Sequence, residues 1–174
     1  MKKSIRCLAK VALLSTMSSI FVTFPLLENA TAQSSDSRLR TQFTGSDKCL
    51  DIINDGLNNK LTMAACGNFS GQLWSIKPSK YKGYYYLRTQ FTGKNKCLDI
   101  INDGVNNKTI MATCGNFSGQ LWKIEPTQSA GFFRLKTQFT GKNKCLDIIN
   151  DGVNNKTIMA DCGNYSGQFW SLSI

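Results

Sequence analysis

The feature that most constrains this chain is a block of 48 residues that occurs three times. Cys49, Cys97 and Cys145 mark it, because they lie 48 positions apart. The second and third copies differ at only five positions between 89–124 and 137–172. A unit this short cannot bury an apolar face alone, so the three units must pack against each other. Any surface site then occurs three times around a pseudo-threefold axis, an arrangement that suits binding better than catalysis.

Each unit carries four short segments with strand character, separated by turn residues, and no helical period is found beyond the N-terminal segment. We expect unit boundaries near 37–84, 85–132 and 133–174. In the second unit the predicted strands are 85–91, 96–101, 109–113 and 120–124. Two proline-containing stretches, 77–83 and 125–131, are expected to be loops between units. The sequence therefore predicts an all-β domain of three four-stranded repeats.

Residues 1–32 have the pattern of a cleaved secretory signal peptide. A basic start precedes an apolar stretch over 11–27, and Ala30-Thr31-Ala32 supplies small residues for cleavage. An uncleaved membrane anchor is the alternative, but scattered serines and threonines weaken the stretch as a spanning helix. We expect one domain over 33–174, secreted or periplasmic, with no later segment long and apolar enough to span a membrane.

The formal net charge of +10 favours anionic surroundings such as acidic glycans, or serves solubility. Basic residues do not form a run with interleaved aromatic residues, the pattern typical of nucleic-acid binders. We therefore expect no nucleic-acid partner.

Cysteine spacing predicts disulfides. Of seven cysteines, Cys7 lies in the signal segment, and the rest fall two per repeat, 17 positions apart. Six cysteines allow fifteen pairings, but the repeat favours Cys49–Cys66, Cys97–Cys114 and Cys145–Cys162. Metal binding is the competing interpretation, yet the chain has no CxxC pair and no histidine. We expect neither a metal nor a cofactor.

The repeated motifs resemble those of a known family. Each repeat has Cys-Leu-Asp, a glycine-containing turn, a second cysteine, and then QLW, QLW or QFW. This pattern resembles the ricin-type β-trefoil lectins with their Gln-x-Trp repeats, over about Arg38 to Ile174. The resemblance implies a β-trefoil fold and binding of galactose-type sugars.

By this resemblance, an aspartate in each repeat would accept hydrogen bonds from two neighbouring sugar hydroxyls. These residues are Asp51, Asp99 and Asp147. The alternative is that the aspartates cap a turn or lie on a solvated edge.

Two contacts usual in the family are missing from every repeat. Alanine replaces the stacking aromatic residue at Ala64, Ala112 and Ala160, and glycine replaces an asparagine at Gly71, Gly119 and Gly167. Nearby residues could substitute for them: the amides of Asn68, Asn116 and Asn164, and the rings of Phe69, Phe117 and Tyr165. Alternatively, these residues only satisfy and pack the loop.

The remaining repeated polar residues favour structural roles. Turn chemistry explains the Asn-Asp-Gly segments beginning at Asn54, Asn102 and Asn150, although ligand or Ca²⁺ contacts are the alternative. The glutamines of the Gln-x-Trp motifs are expected to be structural ties for each unit, with at most a secondary ligand contact, and their tryptophans to lie in the core.

These patterns predict a secreted, monomeric lectin with up to three equivalent sites and no enzymatic activity. A protein-interaction module, such as a toxin delivery subunit or an inhibitor, is the alternative, because a fold alone does not choose among functions. Catalysis is disfavoured because glycosidases need two paired carboxylates, and the only glutamate after the signal segment is Glu125, in a predicted loop.

Overall fold

A computed structural model describes residues 36–173 of the chain, all of them in strands, short 3₁₀ turns and loops. The predicted signal peptide over 1–32 lies outside the described residues. Within the described part, no helix has the length and apolar character needed to cross a bilayer.

Each repeat contributes four strands at equivalent positions. The first holds β1 (Arg38–Thr41), β2 (Lys48–Ile52), β3 (Leu61–Ala65) and β4 (Trp74–Pro78); the second holds β5 (Tyr85–Thr89), β6 (Lys96–Ile100), β7 (Thr109–Thr113) and β8 (Trp122–Pro126); the third holds β9 (Phe133–Thr137), β10 (Lys144–Ile148), β11 (Thr157–Asp161) and β12 (Trp170–Ser173).

The strands form one six-stranded antiparallel sheet and three hairpins. The sheet runs β1-β12-β9-β8-β5-β4, and its two ends meet where Ser37 and Trp74 exchange backbone hydrogen bonds of 2.7 and 2.9 Å. The sheet is thereby closed into a barrel, which removes its free edges. The hairpins are β2–β3, β6–β7 and β10–β11. A six-stranded barrel with three hairpins is the β-trefoil architecture expected from the sequence.

Several predicted strand ends were wrong. The strands predicted over 85–91 and 96–101 end at Thr89 and Ile100. Gln120, placed in a strand by its apolar neighbours, lies in a 3₁₀ turn over Ser118–Gln120, and the strand runs from Trp122 to Pro126. The expected loops at 77–83 and 125–131 consequently begin two residues later. Pro78 and Pro126 are the last residues of their strands, so the prolines did not mark the start of the loops.

The core is built around the three tryptophans, as predicted. Trp122 is fully buried, and its Nε1–H donates to the carbonyl of Leu98 at 2.8 Å. Since Trp122 begins a barrel strand and Leu98 lies in a hairpin strand, each indole joins the barrel to its hairpin. The equivalent bonds, also 2.8 Å, run from Trp74 to Leu50 and from Trp170 to Leu146.

Backbone hydrogen bonds connect each hairpin to the next repeat. The amide of Met111 donates to the carbonyl of Asn59 in the preceding repeat at 2.8 Å. Asn58, just before it, has a φ of 51°, a left-handed conformation that asparagine tolerates better than most residues. The same contact joins Met159 to Asn107 and Met63 to Asn155. The last of these returns from the third repeat to the first, so the ring of hairpins is closed.

Disulfides pair the two cysteines of each repeat, which confirms the prediction that they form. The bonds are Cys49–Cys66, Cys97–Cys114 and Cys145–Cys162, with Cα–Cα distances of 5.0, 5.0 and 5.1 Å. Each closes a short loop, an effect worth about 3 kcal/mol in the chain-entropy treatment. Such bonds are typical of proteins from oxidising compartments outside the cytosol.

Candidate functional site

The site in each repeat is centred on the aspartate of the Cys-Leu-Asp segment. In the second repeat, Oδ1 of Asp99 accepts the backbone N–H of Ile100 at 2.7 Å, and Oδ2 accepts Nε2–H of Gln120 at 2.8 Å. A carboxylate has about four acceptor positions. Each oxygen of Asp99 therefore keeps acceptor capacity for a ligand, while its orientation is fixed from both sides.

Gln120 fixes this carboxylate because every polar atom of its side chain is engaged. Besides Asp99, its Nε2 donates to the carbonyl of Thr113 at 2.9 Å, and its Oε1 accepts the N–H of Gly115 at 2.8 Å. The side chain is fully buried. Gln72 and Gln168 make the same three bonds in the other repeats, to Asp51, Ala65 and Gly67 and to Asp147, Asp161 and Gly163. These glutamines are the structural ties that the sequence predicted.

The glycine before each of these glutamines is required by the position of the carboxylate. A Cβ built on Gly119 would overlap Oδ1 of Asp99, and the equivalent glycines, Gly71 and Gly167, meet Asp51 and Asp147 in the same way. An asparagine at this position therefore has no room. The departure from the family pattern is thus a consequence of how closely the chain passes the aspartate.

Three pockets bring the predicted site residues together. The first site, with Asp51, Asn68 and Phe69, encloses about 370 Å³. The second, with Asp99, Asn116 and Phe117, encloses about 640 Å³. The third, with Asp147, Asn164 and Tyr165, encloses about 580 Å³. Ala112, where the family has a stacking ring, lines the second pocket.

An exposed aromatic ring stands at the side of each pocket. Phe69, Phe117 and Tyr165 are 60, 61 and 63% exposed. The ring of Phe117 folds back over Gly115, where an added Cβ would lie 2.6 Å from Cε2 of the ring. The glycine thereby allows the ring to approach the loop closely, while most of the ring surface stays exposed.

The amide oxygens of the loop asparagines are engaged by neighbouring side chains. Oδ1 of Asn68 accepts Nη2–H of Arg38 at 2.9 Å, and Oδ1 of Asn164 accepts Nη2–H of Arg134 at 3.0 Å. In the second repeat a tyrosine takes the place of the arginine, and Oδ1 of Asn116 lies 3.4 Å from the hydroxyl of Tyr86. Because the amide oxygen is engaged, the NH₂ group is the part left for a ligand.

Each pocket also contains a residue of the following repeat, which sequence reasoning missed. Phe139 lines the second pocket and belongs to the third repeat. Its amide donates to the carbonyl of Ser118 at 3.2 Å, which joins the two repeats beside the site. Phe91 lines the first pocket and Phe43 the third. The repeated Thr-Gln-Phe was the available signal, but the chain alone does not show which pocket that phenylalanine enters.

In each Asn-Asp-Gly turn, the asparagine lines the pocket and the aspartate caps the turn. Asn54, Asn102 and Asn150 line the pockets, a position that fits the ligand-contact alternative rather than the preferred turn interpretation. Asp103 instead caps the turn, because its Oδ1 accepts the N–H of Asn106 at 2.8 Å. This bond, together with the charge of Lys108, holds the pKa of Asp103 below its ordinary value although burial acts the other way. The aspartates of these turns are therefore committed to the turn, as predicted.

The three sites differ at the residue paired with the aspartate. Asp99 and Asp147 lie opposite Ile110 and Ile158 on the neighbouring strand, and both isoleucines line their pockets. In the smaller first site, Asp51 lies opposite Thr62. The expectation of equivalent sites therefore needs revision at this position.

Burial of Asp99 affects the pKa of its carboxyl group. Desolvation raises the pKa of this carboxyl above its ordinary value of 3.8, and the hydrogen bonds from Gln120 and Ile100 offset only part of the effect. As the pH falls, Asp99 therefore takes up a proton, and loses one of its acceptor oxygens, at a higher pH than an exposed aspartate would.

Comparisons with known proteins agree with this architecture. The family model described as a ricin-type beta-trefoil lectin domain-like domain matches residues 70–161. The chain belongs to this family of trefoil lectin-like domains, and the predicted fold class is confirmed.

Three solved structures illustrate the likeness. ThreeFoil, a designed threefold-symmetric protein, is 22% identical with a TM-score of 0.68, over 79% of this chain and 97% of that one. A Polyporus squamosus lectin bound to the epitope Neu5Aca2-6Galb1-4GlcNAc is 16% identical with a TM-score of 0.62, over 80% and 48%. The Haemophilus ducreyi cytolethal distending toxin is 18% identical with a TM-score of 0.64, over 82% and 85%. A comparison with curated proteins found no match.

Replacing Gln120 with alanine tests the role assigned to the buried glutamine. The change removes the bonds that Gln120 makes to Oδ2 of Asp99, the carbonyl of Thr113 and the N–H of Gly115. A buried polar group without a partner costs about 1–3 kcal/mol, so we expect the free energy of unfolding to fall by about 2–5 kcal/mol. Urea unfolding of the oxidised protein measures it.

Gln90→Ala is the matched control, because the side chain of Gln90 is exposed. Its hydrogen bond to the carbonyl of Leu73 is donated by the backbone N–H, so the substitution retains it. We expect a change within about 0.5 kcal/mol for the control. Equal stability of the two variants would contradict the role of Gln120.

Proposed function

We propose that the protein is a carbohydrate-binding lectin with three sugar sites and no catalytic activity. The observation that carries this proposal is the content of each pocket: a carboxylate with open acceptor positions, an amide that donates, and an exposed aromatic ring. Family membership supports carbohydrate binding at the level of the fold class.

These groups match the chemistry of a sugar ring. A carboxylate can accept hydrogen bonds from two adjacent hydroxyl groups at once, and an ionised acceptor makes stronger hydrogen bonds than a neutral one. The C–H face of the ring is weakly apolar and can lie on an aromatic side chain. Pocket volumes of about 370 to 640 Å³ fall within the range of small-ligand sites. Each site is thus of a size for one or two sugar residues.

The proposal also concerns which type of sugar the sites bind. Galactose-type sugars are the family habit, and the net charge of +10 is compatible with acidic glycans. The Polyporus squamosus lectin was solved with a sialylated glycan, which shows what one protein of this fold accommodates.

Binding without catalysis is supported by the linings of the pockets. Within the described residues, each of the three linings carries one carboxylate, whereas glycoside hydrolysis uses two at a defined separation. Glu125, the glutamate considered earlier, is engaged by Lys123 and Lys136 at 2.7 Å each.

Three weak sites on one chain can act together. If their spacing matches clustered glycans, avidity can exceed the affinity of one site by about 10²–10⁴. A secreted monomer of this kind needs no oligomer to cross-link a glycan-coated surface. The signal peptide over 1–32 and export belong to the proposal, and the disulfides support it.

A delivery subunit or inhibitor that binds a protein is the second candidate. The likeness to the Haemophilus ducreyi toxin favours it at the level of the fold. A partner protein recovered by pull-down, and unaffected by free sugars, would support this candidate over the lectin.

A glycan array tests the lectin proposal. Labelled protein from Gln33 onward, precomplexed to expose weak binding, should bind glycans that share a terminal sugar, and that free sugar should compete. Replacing Asp51, Asp99 and Asp147 with alanine should abolish binding, because the acceptors for the hydroxyls are lost.

A second variant covers the risk that the aspartate variant unfolds. Replacing the exposed rings of Phe69, Phe117 and Tyr165 with alanine should also abolish binding, with unchanged thermal unfolding. Leu57, Val105 and Val153 are equally exposed but do not line the pockets. Their replacement with alanine should leave binding intact. Unchanged binding by both site variants would contradict the proposal.

The residue opposite the aspartate, threonine in the first site and isoleucine in the other two, is predicted to affect sugar affinity. In a variant whose second and third sites are disabled by Phe117→Ala and Tyr165→Ala, Thr62→Ile should tighten binding at the first site about 2- to 10-fold. The added apolar surface is worth about 1 kcal/mol. Isothermal titration with the sugar found on the array measures the change. No gain in affinity would mean that the residue opposite the aspartate does not contact the ligand.

A further inference from the structure

A second cleft lies beside the third sugar pocket. It encloses about 260 Å³ and is lined by Gln128, Ser129, Arg134, Asn164 and Phe169. Asn164 lines both this cleft and the third pocket. The cleft and the third pocket therefore adjoin at Asn164.

Arg134 is held in a fixed position in this cleft. Its Nη2 donates to the carbonyl of Gly163 at 2.8 Å and to Oδ1 of Asn164 at 3.0 Å. Its guanidinium lies over the ring of Phe169, 5.2 Å from the centroid. A guanidinium stacked on a ring and bonded on one side loses little freedom when it binds a further acceptor.

The charge of Arg134 has no carboxylate partner among the described residues. Both of its acceptors are neutral, and its Nε is buried without a hydrogen bond. Glu125 lies opposite on the neighbouring strand, but its two oxygens accept from Lys123 and Lys136. The surroundings of the cleft are therefore net positive, and a partly buried cation gains most from an anion.

We propose that this cleft is a subsite for an anionic substituent, a carboxylate or a sulfate ester, on the sugar residue next to the one held by Asp147. The third site then prefers acidic oligosaccharides over their neutral counterparts. The inference rests on the proposed lectin function and assigns a ligand class to one of its sites. Arg134 presents the planar donor geometry that matches carboxylate and sulfate oxygens.

The other repeats supply internal controls for this assignment. Arg38 occupies the equivalent position in the first repeat and makes the same bonds, to Gly67 at 3.2 Å and Asn68 at 2.9 Å. Leucine, however, stands at position 73 where the third repeat has Phe169. In the second repeat the arginine is replaced by the neutral Tyr86. An arginine at the position of Arg134 together with an aromatic ring at that of Phe169 is thus particular to the third repeat. In the second repeat Arg88 lies over Tyr86, 5.4 Å from the centroid, but at a different position of the repeat.

The experiment measures binding of three probes by isothermal titration: a galactose-terminated disaccharide, the same disaccharide with one sulfate ester, and the same disaccharide with one sialic acid. At a fixed physiological salt concentration, the full chain should bind at least one anionic probe about 5- to 10-fold more tightly than the neutral probe. Arg134→Gln should remove this preference, which is measured within each variant as the ratio of the affinities for the anionic and neutral probes, because loss of the bond to Asn164 also affects the neutral probe.

Two further variants separate the subsite from general charge. Phe169→Leu installs the residue of the other repeats, so the fold is retained, and it should weaken the preference. Arg38→Gln removes the same charge elsewhere and should leave the preference intact. Equal loss in Arg38→Gln and Arg134→Gln would assign the preference to diffuse charge and overturn the subsite.

The outcomes distinguish this inference from the function on which it rests. Binding of the neutral probe with no preference for either anionic probe would overturn the subsite alone. Failure of all three probes to bind would contradict the proposed lectin function as well. The sulfated and sialylated probes, compared with each other, show which anion the cleft accepts.

Discussion

The hydrogen bond from a buried glutamine to the site aspartate is the interaction on which the rest of the structure depends. In the second repeat, Gln120 joins the hairpin strand that carries Asp99 to the loop that carries Asn116 and Phe117. The Cys97–Cys114 disulfide joins the same two segments covalently, and the glutamine fixes the orientation of the carboxylate relative to the amide and the ring. Because the glutamine is fully buried and all its polar atoms are engaged, loosening the site and destabilising the fold are one event. The Gln-x-Trp motif thus serves stability and site geometry together, with the tryptophan fixing the barrel to the hairpin.

Closure of the ring of repeats has a similar double role. Phe91, Phe139 and Phe43 each complete the pocket of the preceding repeat, and the last of these contacts joins the two ends of the domain. One repeat alone therefore holds an aspartate and a loop but only part of a pocket. This requirement accounts physically for the presence of three copies on one chain. The copies nevertheless differ in sequence at the residue opposite the aspartate and at the positions of Arg134 and Phe169, whereas the glutamine and the aspartate are the same in all three.

Local pattern was sufficient to predict strands, disulfides and the buried tryptophans, because each follows from short-range spacing within one repeat. It also selected the residues that meet in the pockets. It failed where tertiary packing decides. Gln120 was assigned to a strand, since its engagement in a 3₁₀ turn depends on partners 5 to 21 positions away. Phe91 was assigned to a strand rather than to a neighbouring site. Gly119 was seen only as a missing asparagine, because the position of the Asp99 carboxylate that excludes a side chain there is not readable from sequence.

The most direct test of the central claim is an NMR titration of the ¹⁵N-labelled protein with a sugar that binds on the array. If adjacent repeats build each site around a glutamine-held aspartate, the amides of Ile100, which donates to Asp99, and of Phe139, in the next repeat, should shift together at the same sugar concentration. The corresponding pairs are Ile52 with Phe91 and Ile148 with Phe43. Shifts confined to loops away from these pairs, or to one member of each pair, would contradict the account.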